Sequence, residues 1–186
     1  MRVIEVVPYD SKWEKEFKKA KEFYSKILKE LNVEIEHVGS TSVEGLQAKP
    51  ILDIDIIVQT QKESHRVIKA LEEVGYEHIG NMGIEGRDAF LYDKGNPQLT
   101  WIQHNLYVCI KGSESLNNHL LLRNHLKKNK EAVEKYGALK KELAKRYPND
   151  IDSYVEGKSE LIASFLHAEG MSKEALLRIE NANKKE

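Results

Sequence analysis

Residues 33–58 read VEIEHVGSTSVEGLQAKPILDIDIIV. Val33, Ile35 and His37 alternate with Glu34, Glu36 and Val38, the two-residue period of a β-strand. Gly39-Ser40-Thr41-Ser42 then interrupts it. Gly39 allows the backbone close to a ligand, and the three residues after it offer hydroxyls and, if a helix starts there, free N–H groups. Thr41 or Ser42 is expected to cap a short helix over Val43–Gln47, which Gly45 keeps brief. Pro50 permits a strand to begin just after it, and Ile51–Val58 is an apolar run broken only by Asp53 and Asp55. On a strand these two aspartates share one face, with Cα atoms about 7 Å apart. Aspartate is a poor strand former, and like charges side by side repel. A solvated strand end would tolerate the pair. A divalent cation would offset the repulsion, and hard oxygen ligands suit Mg²⁺ or Mn²⁺ carrying phosphate oxygens. The Gly-Ser turn just upstream, able to cradle a phosphate, favours the second account.

The 186 residues suffice for one domain with a real core, and a net charge of −1 gives no global attraction to nucleic acid or membrane. Any polyanion site must therefore be local. A single cysteine, Cys109, excludes an intrachain disulfide and a multi-cysteine zinc site; in its apolar run it reads as a buried, inert thiol. MRVIEVVPYD has no signal-like apolar run and no stretch approaches a membrane span, so a cytoplasmic location is expected.

Working outward, Val3–Val7 is a strand candidate, and Asp10 or Ser11 caps a helix to about residue 31, with Glu14 in capping-box spacing from Ser11. Its stripe of Trp13, Phe17, Phe23, Tyr24, Ile27, Leu28 and Leu31 reads as core. A helix over Gln61–Val74 stops at Gly75, and a strand starts at Tyr76–Ile79. A glycine-rich loop, Gly80 to Gly86, precedes a hairpin of Ala89–Tyr92 and Leu99–Ile110, the second strand long enough to expect a bulge. From Ser113 the pattern is helical: one helix to about His125, a second over Lys130–Arg146, a third over Ile151–His167. The expected organisation is one domain over 1–170, with a sheet-containing part to 112 and a helical part from 113. Residues 171–186 form a polar helical tail that frays past Asn181.

The string HVGSTSVEGLQAKPILDID, residues 37–55, resembles the GrpB family of the nucleotidyltransferase (DNA polymerase beta-like) superfamily. VVPYDSKW at 6–13, Gly86-Arg87 with Phe90, Leu122-Arg123, and Tyr136, Leu139-Lys140, Leu143-Ala144, Tyr154 and Lys158 resemble the family's flanking segments. The resemblance implies an α+β fold: a nucleotidyltransferase-like mixed β-sheet flanked by helices, with a C-terminal helical half. It implies catalytic, metal-holding Asp53 and Asp55, and a phosphate cradle at Gly39 and Ser40 with Thr41 and Ser42 beside it. In the family's histidine-rich segment this chain reads His104-Asn105-Leu106-Tyr107-Val108, keeping His104 as a catalytic candidate and losing two histidines. Lys49, Arg87, Arg123, Tyr154 and Lys158 are candidate contacts to nucleotide. Tyr154 and Lys158 are expected to share a helix face at i, i+4. Other lysines of the helical half read as solvated charge, and His37 as a structural hydrogen-bonding residue.

The implied activity is metal-dependent transfer of NMP from an NTP, with Mg²⁺ or Mn²⁺, to a small-molecule or protein acceptor. The alternative is a nucleotide- or coenzyme A-related binding protein that has lost turnover. The altered 104–107 segment favours it, and the fusion of some family members to dephospho-coenzyme A kinase implies, by resemblance, a link to coenzyme A metabolism. No basic stripe with interleaved aromatics favours a nucleic-acid polymerase.

Overall fold

The computed structural model describes residues 3–182. Five strands form one mixed sheet: β1 Glu34–Val38, β2 Leu52–Val58, β3 Tyr76–His78, β4 Arg87–Tyr92 and β5 His104–Ile110. Their order is β1-β2-β5-β4-β3, with β2 and β5 parallel and every other pair antiparallel. Helices α1 Lys12–Ile27 and α2 Gln61–Glu72 pack on one face of it. Tyr24 of α1 hydrogen-bonds Tyr76 and His104, Phe17 stacks on His37 at 4.6 Å, and Ser64 of α2 donates to Asp88. That face carries Leu52, Ile54, Ile56 and Val58 from β2, each fully buried, with Leu106 and Val108 from β5. Removing this much apolar surface from water is the main stabilising term of the sheet unit.

The chain packs as two compact units. The sheet unit is Ser11–Val38 with Ile51–Asn117, and the helical unit takes the chain up to Asp10, Gly39–Pro50, and everything from Asn118 on. The helical unit includes the second part of α3 Glu114–Lys128, then α4 Lys130–Arg146, α5 Ile151–Glu156, α6 Ser159–Ala168 and α7 Lys173–Ala182. This is not the division expected at 112/113. Val43 and Leu46 pack with Leu126, Ala132, Tyr136 and Phe165, while Ile4 packs with Leu143 and Tyr154. Early segments thus complete a helical core that the late helices cannot close alone.

Other expectations are corrected by local geometry. Val3–Val7 is no strand: only Val7 bridges, to Ala48, and Val3 is exposed. The helix expected over Val43–Gln47 is replaced by a 3-10 turn at Ser40–Ser42, after which Val43 is extended. Gly39 opens that turn at φ 67°, ψ −171°, a conformation that a side chain rarely tolerates. Ser11 makes no capping hydrogen bond; the capping box forms instead at Thr60 and Glu63, ahead of α2. β5 starts at His104, because residues 99–103 form the loop that seats Leu99 and Trp101. The third late helix divides at Gly157 and Lys158 into α5 and α6. Of the fraying expected past Asn181, residues 183–186 lie outside the described residues.

Candidate functional site

The pleat assigns the chemistry to faces. Strand partners in register point the same way, so Asp53, Asn105 and Val38 share one face with Asp55, Tyr107, Glu36 and Ala89. Asp53 is half-buried and Asp55 is fully buried. Asn105 Nδ2 donates to Asp53 Oδ1 at 2.7 Å; a carboxylate only accepts, which fixes the amide's orientation. Arg87, in register with Cys109 on the same face, sets its guanidinium 4.8 Å from the Tyr107 ring centroid, and its buried Nε makes no hydrogen bond among the described residues. Burial pushes the Tyr107 hydroxyl well above its usual value, Asp53 and Asp55 add to the shift, and Arg87 opposes it. The Cys109 thiol is likewise held protonated by burial, with Asp55 adding, which agrees with an inert thiol. This face is therefore electronegative around two carboxylates.

His104 does not belong to it. It pairs with Leu52, one residue out of phase with the Asp53–Asn105 pair, and so points to the opposite, helix-covered face. There Trp101 Nε1 donates to Nδ1 at 3.0 Å, and the ring stacks on Tyr92 at 4.2 Å. An indole N–H can only donate, so Nδ1 accepts, and the longer 3.4 Å approach of the Ile102 carbonyl is secondary. Nε2 then carries the proton, donating to Tyr76 Oη at 2.6 Å, which in turn reaches Tyr24 Oη at 2.5 Å. Burial lowers the His104 pKa to about 4, against a weaker opposing effect of Ile102. A neutral imidazole with both nitrogens engaged in a hydrophobic layer is a structural residue, which corrects its catalytic assignment.

The helical unit gathers cations. Lys140, only 2% exposed, donates from Nζ to Ser40 Oγ at 2.8 Å and lies 4.5 Å from the Tyr136 ring centroid. The resemblance includes Lys140 among the family's recurring positions, but reading the late lysines as solvated charge left it out of the candidate site; the Tyr136–Lys140 spacing of four was a further signal. Of the turn's hydroxyls, Ser42 Oγ is spent on Gly39 O at 2.7 Å and Thr41 is buried, so Ser40 is the one met by a cation. Lys49 and Lys158 bring their ammonium groups to 5.5 and 4.7 Å from the Tyr154 ring centroid. Lys158 does this from the N-cap of α6, not from the helix of Tyr154. Tyr154 is 1% exposed, its hydroxyl pushed up to about 12 by burial, and it offers no open face to a base. Its role is to seat the two lysines by cation–π contact. Arg123 is half-buried on α3, its Nε donating to Asn124 Oδ1 at 3.1 Å.

A mixed five-stranded sheet flanked by helices, with Asp-x-Asp on a central strand, defines a protein of nucleotidyltransferase-like fold. The chain belongs to the GrpB family: the family model described as GrpB protein matches residues 3–168. It is 32% identical over 163 residues to "Glutamate-rich protein GrpB" of Alkalihalophilus pseudofirmus, covering 87% of this chain and 93% of that protein. It is also 32% identical over 161 residues to "UPF0157 protein YqkA" of Bacillus subtilis, again over 87% of this chain but only 46% of that longer protein. The crystal structure of conserved protein GrpB from Enterococcus faecalis superposes with a TM-score of 0.75 at 32% identity, covering 94% of this chain and 99% of that one. The Cid1 poly(U) polymerase, in a structure with MgGTP bound, gives 0.52 at 19% identity over 75% of this chain and 45% of its own, a likeness of fold. Among the described residues no helix is long and apolar enough to cross a membrane.

Proposed function

We propose that the chain is a metal-dependent nucleotidyltransferase, moving an NMP group from an NTP to a small-molecule or protein acceptor. The observation that carries this reading is the shared face of Asp53 and Asp55, one carboxylate held in place by Asn105 and the other wholly buried. The donor set fits Mg²⁺ or Mn²⁺: hard carboxylate oxygens, with no soft ligand needed. When bound, the ion supplies charge neutralisation on the phosphates and lowers the pKa of the acceptor hydroxyl. The chain's own residues do the rest. Asn105 fixes the Asp53 rotamer, and Arg87 brings a cation to the same face. Taken by itself, the helical unit pairs Ser40 with Lys140 and gathers Lys49 and Lys158 on Tyr154, a hydroxyl and positive charge of the kind that phosphate oxygens accept. The test is pyrophosphate release and transfer of label from each of four NTPs across an acceptor screen with Mn²⁺, in wild type and Asp53→Asn. Release in wild type that falls at least a hundredfold in the variant supports the reading; no turnover with any NTP refutes it.

One observation favours a second reading. β5 contributes Asn105 and Tyr107, not carboxylates, beside the aspartates. A nucleotide- or coenzyme A-related binding protein without turnover would need no more than that. Calorimetry separates the two: nucleotide binding that survives Asp53→Asn and metal removal marks a binder.

A further inference from the structure

β1 is an outer strand of the sheet, and the ladder fixes which of its backbone groups face outward. In β2 the Leu52 N–H donates to Gln103 O and the Val58 carbonyl accepts from the Lys111 N–H, so the even-numbered residues of β2 turn their backbone groups to β5. Asp53, Asp55 and Ile57 therefore turn theirs to β1, where they meet Val38, Glu36 and Glu34. Ile35 and His37 are left with N–H and C=O directed away from β2, along the open side of the sheet. Such an edge is a template for another strand. Beside it lies a cavity of about 410 Å³, lined by Leu28, Leu31 and Ile35 together with Lys21 of α1 and Lys29 of the turn after it. Leu28 and Ile35 are buried, while Lys21 and Lys29 are exposed. Every lining residue belongs to the sheet unit.

The side chains decide which strand fits. Glu34 and Glu36 project on the face of β1 opposite to Ile35. Glu34 already accepts Lys111 Nζ at 2.9 Å, an exposed pair worth little, so an incoming cation can exchange for it. A residue opposite Ile35 shares the face of Ile35 and meets Leu28 and Leu31, and Lys21 and Lys29 disfavour a third cation there. A second copy of the chain fits badly: antiparallel pairing centred on Glu34, Ile35 or Glu36 sets glutamate opposite glutamate.

We propose that the β1 edge is a docking site for an extended segment of a partner protein in which basic residues alternate with small apolar ones. The segment adds to the sheet as an antiparallel strand, with its basic residues beside Glu34 and Glu36 and its apolar residues in the cavity under α1. Backbone hydrogen bonds to Ile35 hold it, and the cavity selects its phase. This goes beyond the transfer chemistry proposed above and does not depend on it.

The test is fluorescence anisotropy of the full chain with a short labelled peptide of alternating lysine and valine. Controls are a peptide of the same composition with its lysines clustered at one end, and an alternating glutamate–valine peptide. Two further forms of the lysine–valine peptide carry N-methyl groups on the valine amides or on the lysine amides. The expected result is saturable binding below about 1 mM, at least tenfold weaker for both controls. A strand antiparallel to Ile35 uses the valine amides, so their methylation abolishes binding, while methylating the lysine amides leaves Kd within threefold. Ser25→Trp, at an exposed α1 position that lines the cavity, should weaken binding at least tenfold with an unchanged thermal transition. No saturable binding, equal binding of the clustered peptide, equal effects of the two methylations, or an unchanged Kd in folded Ser25→Trp overturns the proposal. A dimer in sedimentation that Ser25→Trp dissociates would give the edge to a second copy and overturn it too.

Discussion

The buried network around His104 makes a quantitative claim on stability. Its folded-state pKa is lowered to about 4 by burial, against an ordinary value of 6.5. Unfolding therefore takes up a proton at any pH between these values. The contribution is fully present above pH 6.5 and falls as pH drops toward 4. The whole shift corresponds to roughly 3 kcal/mol, of which about 2 kcal/mol is lost between pH 7 and pH 5. Urea unfolding at those two pH values, in wild type and His104→Gln, isolates the effect, because the carboxylates that also titrate are common to both proteins. The variant loses the bonds from Trp101 and to Tyr76, so it is less stable at pH 7. Its deficit relative to wild type should shrink by about 2 kcal/mol at pH 5. A deficit that stays constant, or a His104 ring proton resonance that titrates near 6.5, would refute a neutral, fully bonded imidazole and reopen its place in the chemistry.

Thr60→Ala removes the side-chain acceptor of the Glu63 N–H and one half of the capping box; it should cost about 1 kcal/mol in urea melts with an unchanged m-value. Ser11→Ala, at a helix start without a side-chain cap, should lie within about 0.5 kcal/mol of wild type by the same assay. Lys140→Met keeps most of the buried stem but deletes the ammonium that meets Ser40; ATP affinity by calorimetry should fall about tenfold, the scale of one charge-assisted hydrogen bond.

The central strand was legible because its signal is local: alternation puts Asp53 and Asp55 on one face whatever surrounds them, and the resemblance of residues 37–55 supplied the fold. The face of His104 was not legible. A single residue decides which side of β5 a side chain occupies, and the phase is set by pairing with β2, which lies some fifty residues earlier. Lys140 shares its residue type with seven exposed lysines of the helical half, Lys127 to Lys173; only the closure of the Gly39–Pro50 segment on α4, where Gly137 lies against Gln47, makes it a buried cation. The break at Gly157 escaped notice because the apolar spacing continues through it, while Leu143 fills the space that a side chain there would take. Ser11 and Thr60 both head plausible capping boxes, and propensity alone does not rank them.

The helical unit is assembled from three stretches of chain, and that has a consequence for biosynthesis. As the ribosome releases the polypeptide, Ile4, Val43 and Leu46 emerge long before Tyr136, Leu143, Tyr154 and Phe165, the side chains they are destined to meet. Until those arrive, nascent chains carry orphaned greasy surface that invites chaperones. A premature stop anywhere before α6 should yield a sticky fragment, not a smaller working protein.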